Sequence, residues 1–308
     1  MTAPTERCSA RSIRLEESIA GTASVVSRWL LLEQLGPWPA TALHSLRLRA
    51  GLGAELSRRA NQARVRVVLL RRHGRAAQPA DPAAAPACFV AHVRPAGSWL
   101  ARVPLTTPSD LLDVDLRALS AGPSDSAETL DKPILCVCTH GRHDACCAER
   151  GRPVAAAIAE RFPAQTWEVS HIGGDRFAGN LVCFPDGDYF GRLSAANGAD
   201  VAQRYVDGRY ALSHLRGRSC YRPAVQAADV LVRQRLGLDA RGHVQALSWS
   251  AHGNRAFVRL AVGSETLTAQ LCSRPADPRR QLTCTVAETV APRAYELVDL
   301  APARPGPS

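Results

Sequence analysis

The fold is decided by residues 134–170, which read ILCVCTHGRHDACCAERGRPVAAAIAERFPAQTWEVS. Apolar residues at 134–137 predict a buried strand, a helical pattern follows over 148–162, and residues 165–170 predict a second strand. A right-handed crossover of this kind places its two strands side by side and parallel, with their exits at the same edge of the sheet. The segment therefore predicts a βαβ unit whose two outgoing loops face each other.

The same order of elements occurs in both halves of the chain. In the first half, strand, helix, strand, loop, two strands and a helix are predicted in turn over residues 29–33, 52–63, 65–70, 76–87, 89–94, 99–104 and 111–119. In the second half, the βαβ unit is followed by a hairpin over 181–193, with a turn at Pro185-Asp186-Gly187-Asp188, and by a helix over 198–207. A βαβ unit joined to a ββα unit is the thioredoxin-like arrangement. The sequence thus predicts an α/β (α+β) protein with two tandem thioredoxin-like lobes.

These patterns also predict the domain boundaries. The expected parts are an N-terminal lobe, a linker, a second lobe, a small α+β C-terminal segment and a disordered tail, over residues 1–121, 122–131, 132–222, 223–300 and 301–308. Within the C-terminal segment, the pattern predicts a helix over 224–236 and strands over 244–248, 256–262 and 282–286.

Composition excludes several classes of function. The 308 residues are 46% hydrophobic but contain no apolar run long enough to span a membrane. Residues 1–20 carry charges and no apolar core, so no secretory signal is predicted and the cytoplasm is the expected compartment. The net charge of +10 comes from arginines spread along the chain, with Lys132 as the single lysine, and this spread does not predict a nucleic-acid partner.

The positions of the cysteines point to metal or redox chemistry. Of the ten cysteines, four lie close together, at Cys136, Cys138, Cys146 and Cys147. In a reducing compartment such a group is typical of a metal or redox site. Five cysteines in apolar runs, in contrast, are interpreted as core residues: Cys88, Cys136, Cys183, Cys272 and Cys284.

The crossover brings this cysteine block opposite the loop that begins at His171. We expect Gly173 and Gly174 to let the backbone approach a bulky inorganic group, and Arg142 and the nearby helix N-terminus to offer positive potential. His140 and His143 are expected to act as hydrogen-bond donors around the site.

Two blocks of this site resemble the sucrase/ferredoxin-like family, whose members carry a thioredoxin-like 2Fe-2S ferredoxin domain. The blocks are Cys138-Thr139-His140-Gly141-Arg142-His143-Asp144-Ala145-Cys146-Cys147 and Ser170-His171-Ile172-Gly173-Gly174-Asp175-Arg176-Phe177. Further similar motifs are Cys8-Ser9-Ala10, Ala20-Gly21-Thr22-Ala23, Trp29-Leu30-Leu31, Gly36-Pro37-Trp38, Pro185-Asp186-Gly187, Gly191-Arg192 and Gly217-Arg218-Ser219. The resemblance covers residues 8 to 230.

The resemblance implies one 2Fe-2S cluster held by two cysteines and an H-x3-H motif, which correspond here to Cys138, Cys147, His171 and position 175. Position 175 is Asp175, so the fourth ligand is either this carboxylate or a substitute, His143 or Cys146. Because imidazole makes a cluster less negative than thiolate does, we expect a reduction potential above that of all-cysteine ferredoxins.

The expected function is electron transfer to or from a redox partner protein. Two alternatives use the same residues: a zinc-binding structural protein, and a thiol-based redox protein, although no Cys-x-x-Cys is present. Sucrase activity is not expected, because the sequence offers no pair of carboxylates to nominate for glycosidic hydrolysis.

Overall fold

The computed structural model describes residues 6–44, 51–74 and 86–303. Its helices are α1 Cys8–Arg14, α2 Leu52–Ala63, α3 Ala145–Arg161, α4 Gly198–Val206 and α5 Pro223–Leu236. Short 3-10 helices are Ala42–His44, Pro108–Leu112, Ala118–Ser120, Asp175–Phe177 and Arg241–His243. The strands of the larger sheet are β1 Arg28–Glu33, β2 Val65–Arg71, β3 Cys88–His92, β4 Trp99–Val103, β5 Glu128–Thr129, β6 Ile134–Cys138, β7 Thr166–Val169, β8 Leu181–Phe184, β9 Asp188–Phe190 and β10 Leu215–Arg218. A smaller sheet contains β11 Val244–His252, β12 Arg255–Val262, β13 Glu265–Pro275 and β14 Arg293–Pro302.

The ten strands of the larger sheet are arranged in two halves of the same order. The full order is β10-β9-β8-β6-β7-β2-β1-β3-β4-β5, so β7-β6-β8-β9-β10 in one half corresponds to β2-β1-β3-β4-β5 in the other. In each half the first two strands are parallel, as predicted, and the remaining pairs are antiparallel. The halves are joined where β2 pairs antiparallel with β7. The duplicated order thus produces one continuous mixed sheet.

The larger sheet is curled, so that one of its faces closes on itself. Trp29 on β1 and Phe184 on β8 are separated by three strands, which corresponds to about 19 Å in a flat sheet. Their ring centroids nevertheless lie 5.2 Å apart, in an edge-to-face contact. Phe89 on β3 meets Trp167 on β7 in the same way, at 5.6 Å. The enclosed face forms a core shared by the two halves.

Helices cover the outer face of the curled sheet. In the first half, Leu30 and Leu32 pack with Leu56 of α2. In the second half, Val137 packs with Val154 and Ile158 of α3, and α4 joins the same cluster. Because successive residues of a strand face opposite sides, β1 and β6 contribute apolar side chains to both faces; β6 is buried along its length and β1 between its two end residues.

The C-terminal segment is an antiparallel sheet in the order β11-β12-β13-β14, packed against α5. The predicted helix and the first two predicted strands are confirmed in this segment. The strand predicted over 282–286 is wrong, because these residues lie in an irregular connection between β13 and β14. The disordered tail is wrong at its start, since Ala301 and Pro302 end β14; residues 304–308 lie outside the described part.

Two predictions in the first half also need correction. The helix predicted over 111–119 is replaced by two 3-10 helices, because the Asp115 carboxylate accepts hydrogen bonds from the backbone N–H of Arg117 and Ala118 and starts a new turn there. The linker predicted over 122–131 contains β5, which pairs with β4.

Of the loop predicted over 76–87, residues 76–85 lie outside the described part of the chain. Among the helices that the structure describes, none has the length and apolar character needed to cross a membrane.

Candidate metal centre

The loops after β6 and β7 meet at one edge of the sheet, as predicted. Cys138 is the last residue of β6, and His171 follows β7 by two residues. The Asp144 side chain accepts a hydrogen bond from the Cys146 N–H and caps α3, which therefore begins at Ala145 and not at 148. Cys147 consequently lies in the first turn of the helix. Aspartate is a favoured residue at the position just before a helix, so Asp144 is the feature of the sequence that indicates a start at 145.

The four side chains that the sequence nominated as ligands lie together at this edge. Cys138, Cys147 and His171 have ligand atoms within 4.8 Å of one another. The Cys147 thiol donates to Oδ1 of Asp175 at 3.1 Å, and His171 Nδ1 lies 2.9 Å from the same oxygen. We call these four residues, together with His143, the candidate centre.

His143 lies at the outer side of the candidate centre. Its ring stacks on that of His171 with 3.7 Å between centroids, and its Nε2 is 3.6 Å from Oδ2 of Asp175. The side chains of the two histidines are 34% and 24% exposed, whereas Cys138, Cys147 and Asp175 are buried. The candidate centre is therefore a buried set of donors that reaches solvent through its histidine rings.

His140 has a different role from the neighbouring histidines. Its Nδ1 accepts a hydrogen bond from the backbone N–H of His171 at 3.2 Å, and its Nε2 donates to the carbonyl of Pro39 at 2.8 Å. Both ring nitrogens are thus used, and burial lowers the pKa of the ring. A neutral His140 orients the His171 backbone, in agreement with its predicted position beside the site.

The two glycines after His171 are required by the side chains around them. Gly173 and Gly174 have φ of 102° and 82°, where residues other than glycine are strained. A Cβ at Gly173 would overlap the Ser24 hydroxyl, and one at Gly174 would overlap the guanidinium of Arg216. The space beside these two glycines, where we expected a bulky inorganic group, is therefore occupied by the side chains of Ser24 and Arg216. Arg142 is exposed, and its side chain makes no hydrogen bond or ion pair with the described residues.

Sequence analysis missed Arg216, a buried cation next to this loop. Its guanidinium donates to the carbonyl of Gly173 at 3.1 Å and to Asn180 Oδ1 at 2.7 Å, and also to the carbonyl of Thr22. These acceptors are all neutral, and burial lowers the pKa of Arg216 to about 10. Arg216 lies on β10, far along the chain from the loop that follows β7. A search of the sequence for closely spaced ligand residues therefore does not find it.

Charge in the candidate centre is set by contacts among its buried groups. Contact with Cys147, and then with His171, lowers the pKa of Cys138 well below its usual value although burial opposes this. The Cys147 pKa is raised by the contact with Cys138 and by burial. Burial acts to lower the pKa of His171, but Asp175 and Cys138 outweigh it and raise the pKa to about 9. These shifts favour a thiolate at Cys138, the form of cysteine that binds metals.

Cys146, one of the two substitutes considered for the fourth ligand, does not join the candidate centre. Its sulfur lies 3.5 Å from the sulfurs of Cys8 and Cys284. Cys284 was interpreted as a core residue, and this interpretation is corrected: it is half-buried and lies against Asp144. The core interpretation is confirmed for Cys88, Cys136 and Cys183, which are buried in the apolar clusters of the large sheet.

The protein thus has a mixed α+β fold with a group of cysteine and histidine side chains at one edge of its large sheet. Residues 19–217 match the model of the sucrase/ferredoxin-like family. The match covers more than half of the chain, so the chain belongs to this family. Neither the curated proteins nor the solved structures provide a match.

Proposed function

We propose that this protein carries one 2Fe-2S cluster at the candidate centre and transfers electrons to or from a partner protein. The observation that carries the proposal is the convergence of the Cys138, Cys147 and His171 ligand atoms within 4.8 Å. These residues come from two loops that a βαβ crossover brings together. When bound, such a cluster supplies reversible one-electron chemistry.

The donor set suits a soft metal cluster. Two buried thiols and an imidazole match the mixed cysteine and histidine ligation of high-potential 2Fe-2S centres. His171 Nδ1 is buried, and its 2.9 Å approach to Asp175 lacks the alignment of a hydrogen bond, so this nitrogen keeps its lone pair or proton for another partner. A buried nitrogen that makes no hydrogen bond with the described residues and lies beside two thiols suits a ligand position.

For the fourth ligand, Asp175 is the stronger of the two remaining candidates. It is buried and contacts both Cys147 and His171. Contacts with His171 and Cys147 outweigh burial and lower its pKa, so it is an anion at neutral pH. His143 lies on the solvent side, where it contacts Asp175 and the rings of His171 and His140 and neither of the two thiols. We therefore assign Asp175 as the ligand and His143 as the outer contact.

The burial pattern of the candidate centre supports electron transfer more than turnover of a substrate. The thiols are closed off from solvent, and only His143 and His171 reach the surface. A partner protein would approach this histidine edge. Arg216 supplies a buried positive charge nearby that favours an anionic group at the edge of the sheet.

We also propose that each half of the large sheet is a thioredoxin-like lobe and that the protein is located in the cytoplasm. Each half of the large sheet has a parallel pair followed by antiparallel strands, which is the strand order of a βαβ unit joined to a β-hairpin. All ten cysteines are free thiols, as a reducing compartment allows.

The carboxylates of the first half do not favour a glycosidase. A cleft there is lined by Asp110, Asp113 and Asp115 among others. However, Asp110 accepts hydrogen bonds from the backbone N–H of Thr106 and Thr107, and Asp115 caps the following turn. Hydrogen bonds from Thr107 lower the pKa of Asp110. It is therefore a poor general acid, which needs a raised pKa.

The experiment that tests the function is anaerobic purification followed by visible absorption and analysis of iron, acid-labile sulfide and zinc. We expect a brown protein with about two irons and two sulfides per chain. Cys138→Ala should lose both, and Cys136→Ala, two residues away in the core, should keep both. A colourless protein that contains zinc at these ligands, or no metal after cluster reconstitution, would contradict the proposal.

A further inference from the structure

Three thiols from distant parts of the chain meet beside the first turn of α3. Cys8 belongs to α1, Cys146 to α3, and Cys284 to the irregular connection between β13 and β14. The Cys146 sulfur lies 3.5 Å from that of Cys8 and 3.5 Å from that of Cys284. We call these residues the three-cysteine cluster.

The surroundings of these thiols differ from those of core cysteines. Cys88, Cys136 and Cys183 each lie among many apolar side chains of the large sheet. The buried cluster around Cys8 and Cys146, in contrast, contains only Ala178 besides among the residues that the structure describes, with Cys284 packed against it. Packing of a hydrophobic core therefore does not account for the meeting of these three thiols.

The spacing of the sulfurs fits a tetrahedral metal site. A Zn²⁺ ion with Zn–S distances of about 2.3 Å places neighbouring sulfurs about 3.8 Å apart. Both sulfur distances in the cluster are close to this value, and the ligand atoms of all three cysteines and Asp144 lie within 4.8 Å of one another. A disulfide requires about 2.05 Å and would leave the third thiol without a role.

Asp144 provides a second, independent observation. Its side chain is fully buried, and three of its acceptor positions are filled by the N–H of Cys146, the N–H of Cys284 and the hydroxyl of Thr283. A carboxylate has about four such positions. Oδ2 accepts from the Cys284 N–H and the Thr283 hydroxyl, and Cys8 Sγ lies 3.9 Å from it. Oδ1 accepts only from the Cys146 N–H among the described residues, so the position that is left is on Oδ1. A buried carboxylate among three thiols needs a cation to balance the charge once any thiol ionises.

We propose that the three-cysteine cluster binds one Zn²⁺ through its three thiolates, with the Asp144 carboxylate in the fourth position. Four protein ligands make a closed site, which is the arrangement of structural zinc. The Cys8 N–H donates to the Cys284 sulfur at 3.3 Å, and the N-terminus of α3 at Cys146 favours negative charge. Both features stabilise thiolates.

The expected role of this zinc is to fasten two peripheral segments, α1 and the connection between β13 and β14, to the half of the large sheet that α3 covers. Residues 276–292 contain little regular structure apart from the bridge of Arg280 to Val290. Binding of the metal at Cys284 joins this connection, together with α1, to α3. Because metal binding energy contributes to folding, the zinc stabilises the docking of both segments.

The test is the zinc content of the full-length chain purified anaerobically from zinc-supplemented cells. We expect about one zinc per chain in the wild type. Cys8→Ser, Cys146→Ser and Cys284→Ser should each lose it, whereas Cys147→Ser and the control Cys272→Ser should keep it. Absence of zinc in the wild type, or its retention in all three cluster variants, overturns the proposal. Loss in Cys147→Ser alone overturns it too, because that result places the zinc at the candidate centre.

A second measurement on the wild type avoids any variant that fails to fold. Zinc X-ray absorption should report three sulfur neighbours and one oxygen, with no scattering from imidazole. Imidazole scattering would place the zinc at histidines, such as those of the candidate centre, and contradicts the proposal. Intact mass under the same conditions should show all thiols reduced; a mass lower by two hydrogens in place of zinc would show a disulfide and also overturn it.

Discussion

Cys146 and Cys147 are neighbours in the first turn of α3, yet their thiols belong to different groups. The Cys147 thiol meets Asp175 and the candidate centre, and the Cys146 thiol meets Cys8 and Cys284. Successive side chains on a helix diverge by about 100°, so a helix that begins before both cysteines separates them. The Asp144 cap, which fixes this start, therefore divides one cysteine pair between two sites.

The two groups also differ in their access to solvent. The candidate centre reaches the surface through His143 and His171, whereas Cys8 and Cys146 are buried and only Cys284 is half-buried. An electron carrier needs an edge that a partner can approach, and a structural metal site needs closure. The contrast supports different roles for two groups of similar composition.

Substitution of the two neighbouring cysteines should produce the largest difference between the groups. We expect Cys147→Ser to lose nearly all bound iron and visible absorption, because it removes a thiolate ligand of the proposed cluster. Cys146→Ser should retain both. Parallel measurement of iron, sulfide and absorption after anaerobic purification checks this, and equal loss in the two variants would mean that both thiols serve one site.

A change at Gly151 should disturb both groups through the position of α3. A Cβ at this residue would overlap the carbonyl oxygen of Cys138, where α3 crosses the end of β6. We expect Gly151→Ala to lower the free energy of unfolding by about 3 kcal/mol, because backbone atoms have to move apart. Gly242→Ala is the control, since a Cβ there meets no atom within 4 Å. Urea unfolding of both variants measures the difference, and equal stability would show that α3 can shift freely.

The candidate centre could be predicted from sequence because all of its members belong to one βαβ unit. Parallel strands and a crossover helix bring residues 138–147 and 171–175 to one edge by a general rule, and the structure follows it. The three-cysteine cluster follows no such rule. Its members lie 138 residues apart on either side of Cys146, and Cys284 lies in a connection without regular structure. Local patterns do not encode contacts of this kind.

The same distinction explains which elements of the fold were predicted well. The helix Leu52–Ala63 and the strand pairs have strong apolar periods, and the structure has them at nearly the predicted bounds. The helix predicted over 111–119 is replaced by two 3-10 helices, because the capping carboxylates of Asp110 and Asp115 divide the segment. The two halves are joined by pairing of β2 with β7, which are the edge strands of their halves. No local sequence pattern specifies which strand an edge strand pairs with.

Replacement of Asp175 should change the reduction potential of the proposed cluster without removing its iron and sulfide. An imidazole in place of a carboxylate makes a cluster less negative, so Asp175→His should raise the reduction potential by tens of millivolts while keeping iron and sulfide. Redox titration followed by absorption measures the shift. His143→Ala is the matched control, with retained iron and a smaller shift; loss of iron in that variant alone would make His143 the fourth ligand.

The smallest expected effect lies at the edge of the three-cysteine cluster. Thr283 donates to Oδ2 of Asp144 at 2.6 Å, and Thr283→Val removes this hydrogen bond at nearly constant volume. The carboxylate keeps its bonds from the N–H of Cys146 and Cys284, so we expect a loss of about 1 kcal/mol in the free energy of unfolding. Zinc binding should weaken several-fold, because Asp144 is held less firmly, while the visible spectrum stays unchanged. Chelator competition and urea unfolding measure the two effects. Since Asp144 also caps α3, an altered spectrum in this variant would show that the two groups are coupled through the cap.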